Sequence, residues 1–261
     1  MCQINIEREL KNKRKKVKIL VSCFKCTIEN PEDFHFNGFL TLDEEGFYHF
    51  TCPKGHLNFK IIQAFKFELL FESGLYAIKD HFYLESVLSL TASLERFYEF
   101  AIRILLRSNG LSKDDYENLY KVISKQSERQ LGAFVCLYGN AFKEAPKMIG
   151  RKHVEFRNKV VHNGYLPNEK EVLDYAEEIY ETIKSSYITL LEKHGNMISD
   201  YYLETVMERE ERNKEKIEFS KKNITTVAPC IAITHTLNIE IFKNQKFHSC
   251  FDYVMKNVFY A

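Results

Sequence analysis

From about residue 66 to residue 217 apolar positions recur every three to four residues, and only Pro146 and Pro167 interrupt the stretch. That period is helical, and it predicts helices over 80–107, 112–126, 128–145, 147–163, 168–194 and 197–217. In the first of these, Leu84, Leu88, Thr91, Leu94, Tyr98, Ile102, Leu105 and Leu106 form one stripe. Glu85, Ser89, Ser93, Arg96 and Arg103 fall on the other side, whereas Glu95 lies inside the stripe, about 20° from Leu84. Asn163-Gly164 followed by Pro167 is a helix stop, so His162 occupies the last turn of the 147–163 helix. Either side of the helical zone the period shortens. Phe39-Leu40-Thr41-Leu42 and Phe47-Tyr48-His49-Phe50 flank Asp43-Glu44-Glu45-Gly46, which reads as a β-hairpin within a short β zone over 1–65. From Ile231 to Ile241 the odd positions are Ile, Ile, His, Leu, Ile and Ile, which predicts a strand with one buried face.

The expected organisation is therefore mainly α: a β segment at 1–65, a helical domain at 66–217 and a short β-containing appendage at 218–261. No apolar run approaches the roughly 20 residues of a membrane span, and Ile19 to Phe24 is too short for a signal peptide. Seven cysteines without such a peptide point to a reducing, cytoplasmic setting. A net charge of +1 gives no global attraction to nucleic acid. The basic run Lys11 to Lys16 reads as a solvated tail.

Candidate chemistry begins in the β zone. Cys23-Phe24-Lys25-Cys26 and, after 25 intervening residues, Cys52-Pro53-Lys54-Gly55-His56 are two ligand pairs on tight turns. Paired turns of this kind suit a tetrahedral zinc ion. So small a β segment gains stability from a structural metal that burial alone would not give it. Cys23, Cys26, Cys52 and His56 are the expected zinc-ribbon-like ligands, with His49 and His35 as substitutes for the fourth. A closed Cys3His set leaves no open coordination position, so the Zn2+ is structural, not catalytic. Cys2, Cys136, Cys230 and Cys250 lack ligand spacing, and His235 reads as a core histidine.

The other candidate is Arg157-Asn158-Lys159-Val160-Val161-His162. Val161, Phe156 and Val160 bracket Arg157 on the helical wheel, and Asn158 and His162, four apart, share a face. An arginine beside an apolar arc needs a carboxylate, a polar cleft or a partner chain. Glu95, an acid inside another helix's stripe, is the expected counter-charge.

This Arg-Asn-x-x-x-His run at a helix end, in an all-helical region, resembles the signature of the HEPN superfamily. The resemblance covers about 66–217, and Glu95 is similar to an acidic position that many members keep on an earlier helix. It implies a HEPN-like helical bundle and a metal-independent endoribonuclease, commonly a toxin or an antiviral (phage) defence effector, with an antitoxin or activating partner. Two copies would form a homodimer with both motifs in one interfacial cleft, cutting RNA by 2′-hydroxyl attack without a catalytic cofactor. Arg157, Asn158, His162 and Glu95 would be the catalytic group. Lys147, Arg151, Lys152 and Lys159 could contact the RNA backbone, and Tyr165 could stack on a base. The same resemblance also accommodates a non-catalytic dimeric module that binds RNA or protein.

Overall fold

The computed structural model describes residues 18–30, 38–41, 45–220, 224–227 and 239–257. Its elements are β1 (Lys18–Val21), α1 (Phe24–Glu29), β2 (Gly38–Thr41), β3 (Phe47–Thr51), β4 (Leu57–Ile62), α2 (Lys66–Lys79) and α3 (Tyr83–Ser108). They continue with α4 (Lys113–Ile123), α5 (Ser127–Phe142), α6 (Arg151–Asn163), α7 (Glu169–Arg212), α8 (Lys214–Ser220), β5 (Ile224–Val227), α9 (Ile239–Asn244) and α10 (Phe247–Asn257). The protein is mainly helical with small sheets, as the periodicity predicts. None of the described helices is long and apolar enough to cross a membrane.

The chain divides into two units. One combines the described residues of 1–63 with those of 206–229, and the other combines 64–205 with 230–256. The C-terminal stretch therefore does not form a third body. In the first unit, β5 joins β4 in parallel, pairing Phe59 with Ile224 and Ile62 with Val227. Lys60 is buried in that sheet and donates to the Thr225 hydroxyl at 2.6 Å. Arg209 donates to the Ile62 carbonyl at 2.6 Å, and Asn213 donates to the Glu45 carbonyl at 2.9 Å. In the second unit α9 and α10 cover α7, where Phe242 meets Tyr187 edge-on and Phe247 packs on Tyr180. Lys184, itself buried, donates to the carbonyl of Gln245 between those two helices.

The predicted hairpin has its strands in place but a different pairing. β2 ladders antiparallel with β1, Lys18 facing Thr41, while β3 ladders antiparallel with β4, Thr51 facing Leu57. The tight turn of the real hairpin is Cys52 to His56, where Gly55 adopts φ +82, a conformation that a Cβ disfavours. The C-terminal strand is also revised. Residues 239–241 of it begin a helix, while 231–238, with His235, lie outside the described residues; among the described residues a strand, β5, precedes it at 224–227.

Helix α2 is not among the six predicted, although Phe67, Phe71, Leu75 and Ile78 recur at helical spacing and are all buried. Glu68 accepts from the Phe65 N–H at 2.8 Å and caps its first turn. α2 lies along α3 on the side that carries Ser86, Ser89 and Ser93. Ser89 and Ser93 donate to the Leu70 and Phe67 carbonyls at 2.8 and 2.6 Å. α3 is accordingly buried on two faces: Val87, Leu90, Phe97, Phe100 and Ala101 join Leu94, Tyr98, Ile102, Leu105 and Leu106 of the predicted stripe in the core, whereas Leu88 of that stripe is exposed and Leu84 and Thr91 are half-buried. The predicted helices over 168–194 and 197–217 are two helical segments that meet at a kink, as expected, where His194 is non-helical (φ −128, ψ 26); together they make up α7, and α8 follows.

Candidate functional site

α6 is shorter at its start than predicted: it begins at Arg151, capped by Gly150, so Lys147 precedes the motif's helix. It ends as expected, with Gly164 at φ +67 and the Tyr165 N–H returning to the Lys159 carbonyl at 3.1 Å. Val160 alone on this helix is fully buried, and α6 packs on α3. Val154 and Val161, each 38% exposed, leave an apolar margin open beside the motif, and Leu166 just beyond is 78% exposed.

Arg157 is half-buried at the edge of that margin and donates through Nη1 to Asn158 Oδ1 at 2.9 Å. Asn158 and His162 are exposed. The expected ion pair with Glu95 does not form among the described residues, where Arg157 takes its neighbour's amide instead. Glu95 is half-buried on α3, and its charge and that of Arg157 both act on the hydroxyl of Tyr175 on α7. Burial pushes the Tyr175 hydroxyl up; its hydrogen bond with Thr91 and the Arg157 charge pull it down, and the Glu95 charge raises it. The sequence fails to single out Tyr175, because a tyrosine at helical spacing reads as ordinary core.

The basic residues differ in how much of their charge is spent. Arg151 pairs with Glu155 at 2.8 Å, Lys147 with Glu178 at 3.8 Å and Lys152 with Asp174 at 3.8 Å. Lys159 has no ion pair among the described residues. The Tyr165 hydroxyl donates to Glu171 at 2.9 Å. Lys152, Lys159 and Tyr165 line one cavity of about 290 Å³ with Phe156, His153 and Asp174.

The clearest convergence lies in the other unit. Cys23, Cys26, Cys52 and His56 each offer a ligand atom, and these atoms all lie within 4.8 Å of one another, so they could hold a metal ion. His56 Nδ1 lies 3.4 Å from the Cys26 sulfur and 3.7 Å from that of Cys23, and the Cys26 and Cys52 sulfurs are 3.8 Å apart. Cys23 is the N-cap of α1 and Cys26 falls in its first turn, while Cys52 and His56 bracket the β3–β4 turn. His56 is thus the fourth member. His49 is exposed on β3, and His35 lies outside the described residues.

Thiols this close do not ionise independently. Burial raises Cys23, but the Cys26 N–H, the Asn58 amide and His56 outweigh it and bring the group to about 6. Burial and the neighbouring Cys23 and Cys52 push Cys26 up to about 11. Of the remaining cysteines, Cys136 is exposed and Cys250 is buried near the Tyr180 hydroxyl, while Cys2 and Cys230 lie outside the described residues.

No protein-family model, no curated protein and no solved structure matches the chain.

Proposed function

We propose that the protein is a metal-independent endoribonuclease of HEPN type, acting as a homodimer in toxin or phage-defence chemistry. The observation that carries this reading is the state of the motif: Arg157 bonded to Asn158, with His162 exposed in the last turn of α6. A second copy laid on the open apolar margin of Val154 and Val161 would bring two such motifs into one cleft. There the RNA 2′-hydroxyl would lose its proton and attack the adjacent phosphorus. The 5′-oxygen would leave with a proton, giving a 2′,3′-cyclic phosphate and a free 5′-hydroxyl. The His162 imidazole, with one nitrogen to accept and one to donate, could serve in either proton transfer. Arg157 would hold the phosphate oxygens as charge builds on them, with Asn158 orienting that guanidinium and Glu95 contributing from the neighbouring helix.

In the same reading the Cys23, Cys26, Cys52 and His56 cluster holds structural zinc. Ligand bonds of about 2.3 Å to sulfur and 2.0–2.1 Å to nitrogen give tetrahedral edges of about 3.8 Å (S···S) and 3.6 Å (S···N). Three of the six edges are 3.8 Å (Cys26–Cys52), 3.4 Å (Cys26–His56) and 3.7 Å (Cys23–His56), and all six lie within 4.8 Å.

The test is RNA cleavage by wild-type and His162→Ala protein without added divalent cations, with the new ends mapped. Cleavage by the wild type alone, leaving cyclic phosphates, supports the reading. A folded wild-type dimer that binds RNA without cutting it would overturn the enzyme in favour of a binding module.

A further inference from the structure

We propose that Asn58 is the positioning residue of the Cys3His centre: its side-chain amide locks the Cys23–Cys26 turn to the Cys52–His56 turn. The proposal rests on the cluster's being a cation site. Asn58 Oδ1 accepts from the Phe24 N–H at 3.1 Å, and Asn58 Nδ2 donates to the His56 carbonyl at 2.9 Å. Phe24 lies between the first two ligands and His56 is the last, so one planar group spans both turns.

The chemistry leaves no choice about which way the amide faces. A backbone N–H only donates and a carbonyl only accepts, so oxygen must face Phe24 and nitrogen must face His56. The Phe24 N–H is one of the donors that a helix start leaves without an intrahelical acceptor. Asn58 is 5% exposed, and buried polar groups at this depth need partners. Aspartate would keep the acceptor and lose the donor. Alanine would lose both and strand a buried N–H.

The other backbone hydrogen bonds around the ligands each stay within one turn. Thr27 donates from its N–H and its hydroxyl to the Cys23 carbonyl, both at 3.0 Å. Across the hairpin turn the Cys52 N–H donates to the His56 carbonyl at 3.0 Å, the Gly55 N–H donates to the Cys52 carbonyl at 2.8 Å, and the His56 N–H reaches the Cys52 sulfur at 3.3 Å. Those bonds shape each turn but do not set the distance between them. Asn58 does, and its own position is fixed from outside the cluster, because β4 pairs it with Phe50 of β3. Two residues along the same strand, Lys60 reaches across to Thr225 and pins the other side.

A cation entering this site therefore finds its two ligand pairs already aligned. Without the amide, the cation's own binding energy would have to immobilise the turns. Loss of such an outer partner typically lowers metal affinity by roughly 10- to 100-fold.

The test uses the full chain as wild type, Asn58→Ala, Asn58→Asp and Ile61→Val. Each is titrated with Co2+, followed by its thiolate charge-transfer and visible bands, and then competed with Zn2+. The wild type should bind one Co2+ with a tetrahedral spectrum. Asn58→Ala should bind about 10- to 100-fold more weakly with altered bands, and Asn58→Asp should fall between. Ile61→Val, a packing change on the same strand, should leave the spectrum unchanged. Equal affinity in wild type and both Asn58 variants overturns the positioning role, as does an equal loss in Ile61→Val. Absence of a tetrahedral spectrum in the wild type instead overturns the cation site itself. Asn58→Asp keeps the comparison valid should Asn58→Ala fail to fold.

Discussion

Arg157 hydrogen-bonds Asn158, the very next residue, at 2.9 Å, and the pair lies on the open side of α6. A surface contact of this kind is worth about 0–1 kcal/mol to folding. If the two residues serve a phosphate instead, Arg157→Ala and Asn158→Ala should lower RNA cleavage by roughly 10²- to 10³-fold and barely move the melting curve. Circular-dichroism melts run beside single-turnover cleavage separate the effects. A loss of several kcal/mol for Arg157→Ala would mark it as scaffold.

Lys159 and Arg151 make a second contrast on the same helix. Arg151 is engaged by Glu155, whereas Lys159 has no ion pair among the described residues. Lys159→Ala should weaken RNA binding and reduce the slope of log affinity against log salt by about one. Arg151→Ala should change it less. Fluorescence anisotropy at several salt concentrations reads both slopes, and identical slopes would remove Lys159 from the interface.

Gly74 tests the close approach of α2 to α3. Alanine normally gains about 1 kcal/mol over glycine inside a helix. Here a Cβ would sit 2.8 Å from Cγ of the fully buried Leu90. Overpacking typically costs about 1–3 kcal/mol, so Gly74→Ala should be destabilising by about 1 kcal/mol net. Urea denaturation would show the midpoint falling; a rise would mean that Leu90 has room to move.

Glu204 gives a pH dependence. Burial raises its pKa, but hydrogen bonds from Arg107 and Lys113 outweigh burial and hold it below the ordinary carboxylate value. A depressed folded pKa contributes stability above the unfolded value of about 4.3, and that contribution is lost as pH falls through the lower folded value. Glu204→Gln should cost about 1 kcal/mol at neutral pH, allowing for partial exposure. Relative to wild type, the deficit should shrink in acid. Parallel denaturation at pH 7 and pH 3 measures it, and a deficit that persists at pH 3 would contradict the ion-pair origin.

The ease of reading this sequence varied with the physics behind each feature. The cluster of Cys23, Cys26, Cys52 and His56 was legible because coordination demands cysteines and histidine at short, paired spacings. The stop after His162 was legible because Gly164 must accommodate a positive φ. The pairing of β2 and β3 was not, since two strand signals across an acidic turn do not say which strand each prefers. The Cys52–His56 turn settles that by closing β3 onto β4. Helix α2 escaped because Ser86, Ser89 and Ser93 look like a wet face, yet small hydroxyls let a helix come close and bond its carbonyls. A helical wheel gives the azimuth of Glu95 and Arg157 but not their reach. The expected ion pair is therefore absent among the described residues, and Arg157 bonds Asn158 instead.

Each unit is assembled from stretches of chain that the sequence keeps far apart. β5 completes the first only after all the helices from α2 to α8 have been made, and α9 and α10 complete the second only after β5. Non-local closure of this sort slows folding, because the intervening loop must be closed before any contact rewards it. It also makes the last fifty residues indispensable to both halves. A chain truncated near residue 217 would lack the β5 ladder in one unit and the cover over Tyr180 and Tyr187 in the other. Such a chain should be aggregation-prone, and neither unit can be excised as a single uninterrupted fragment.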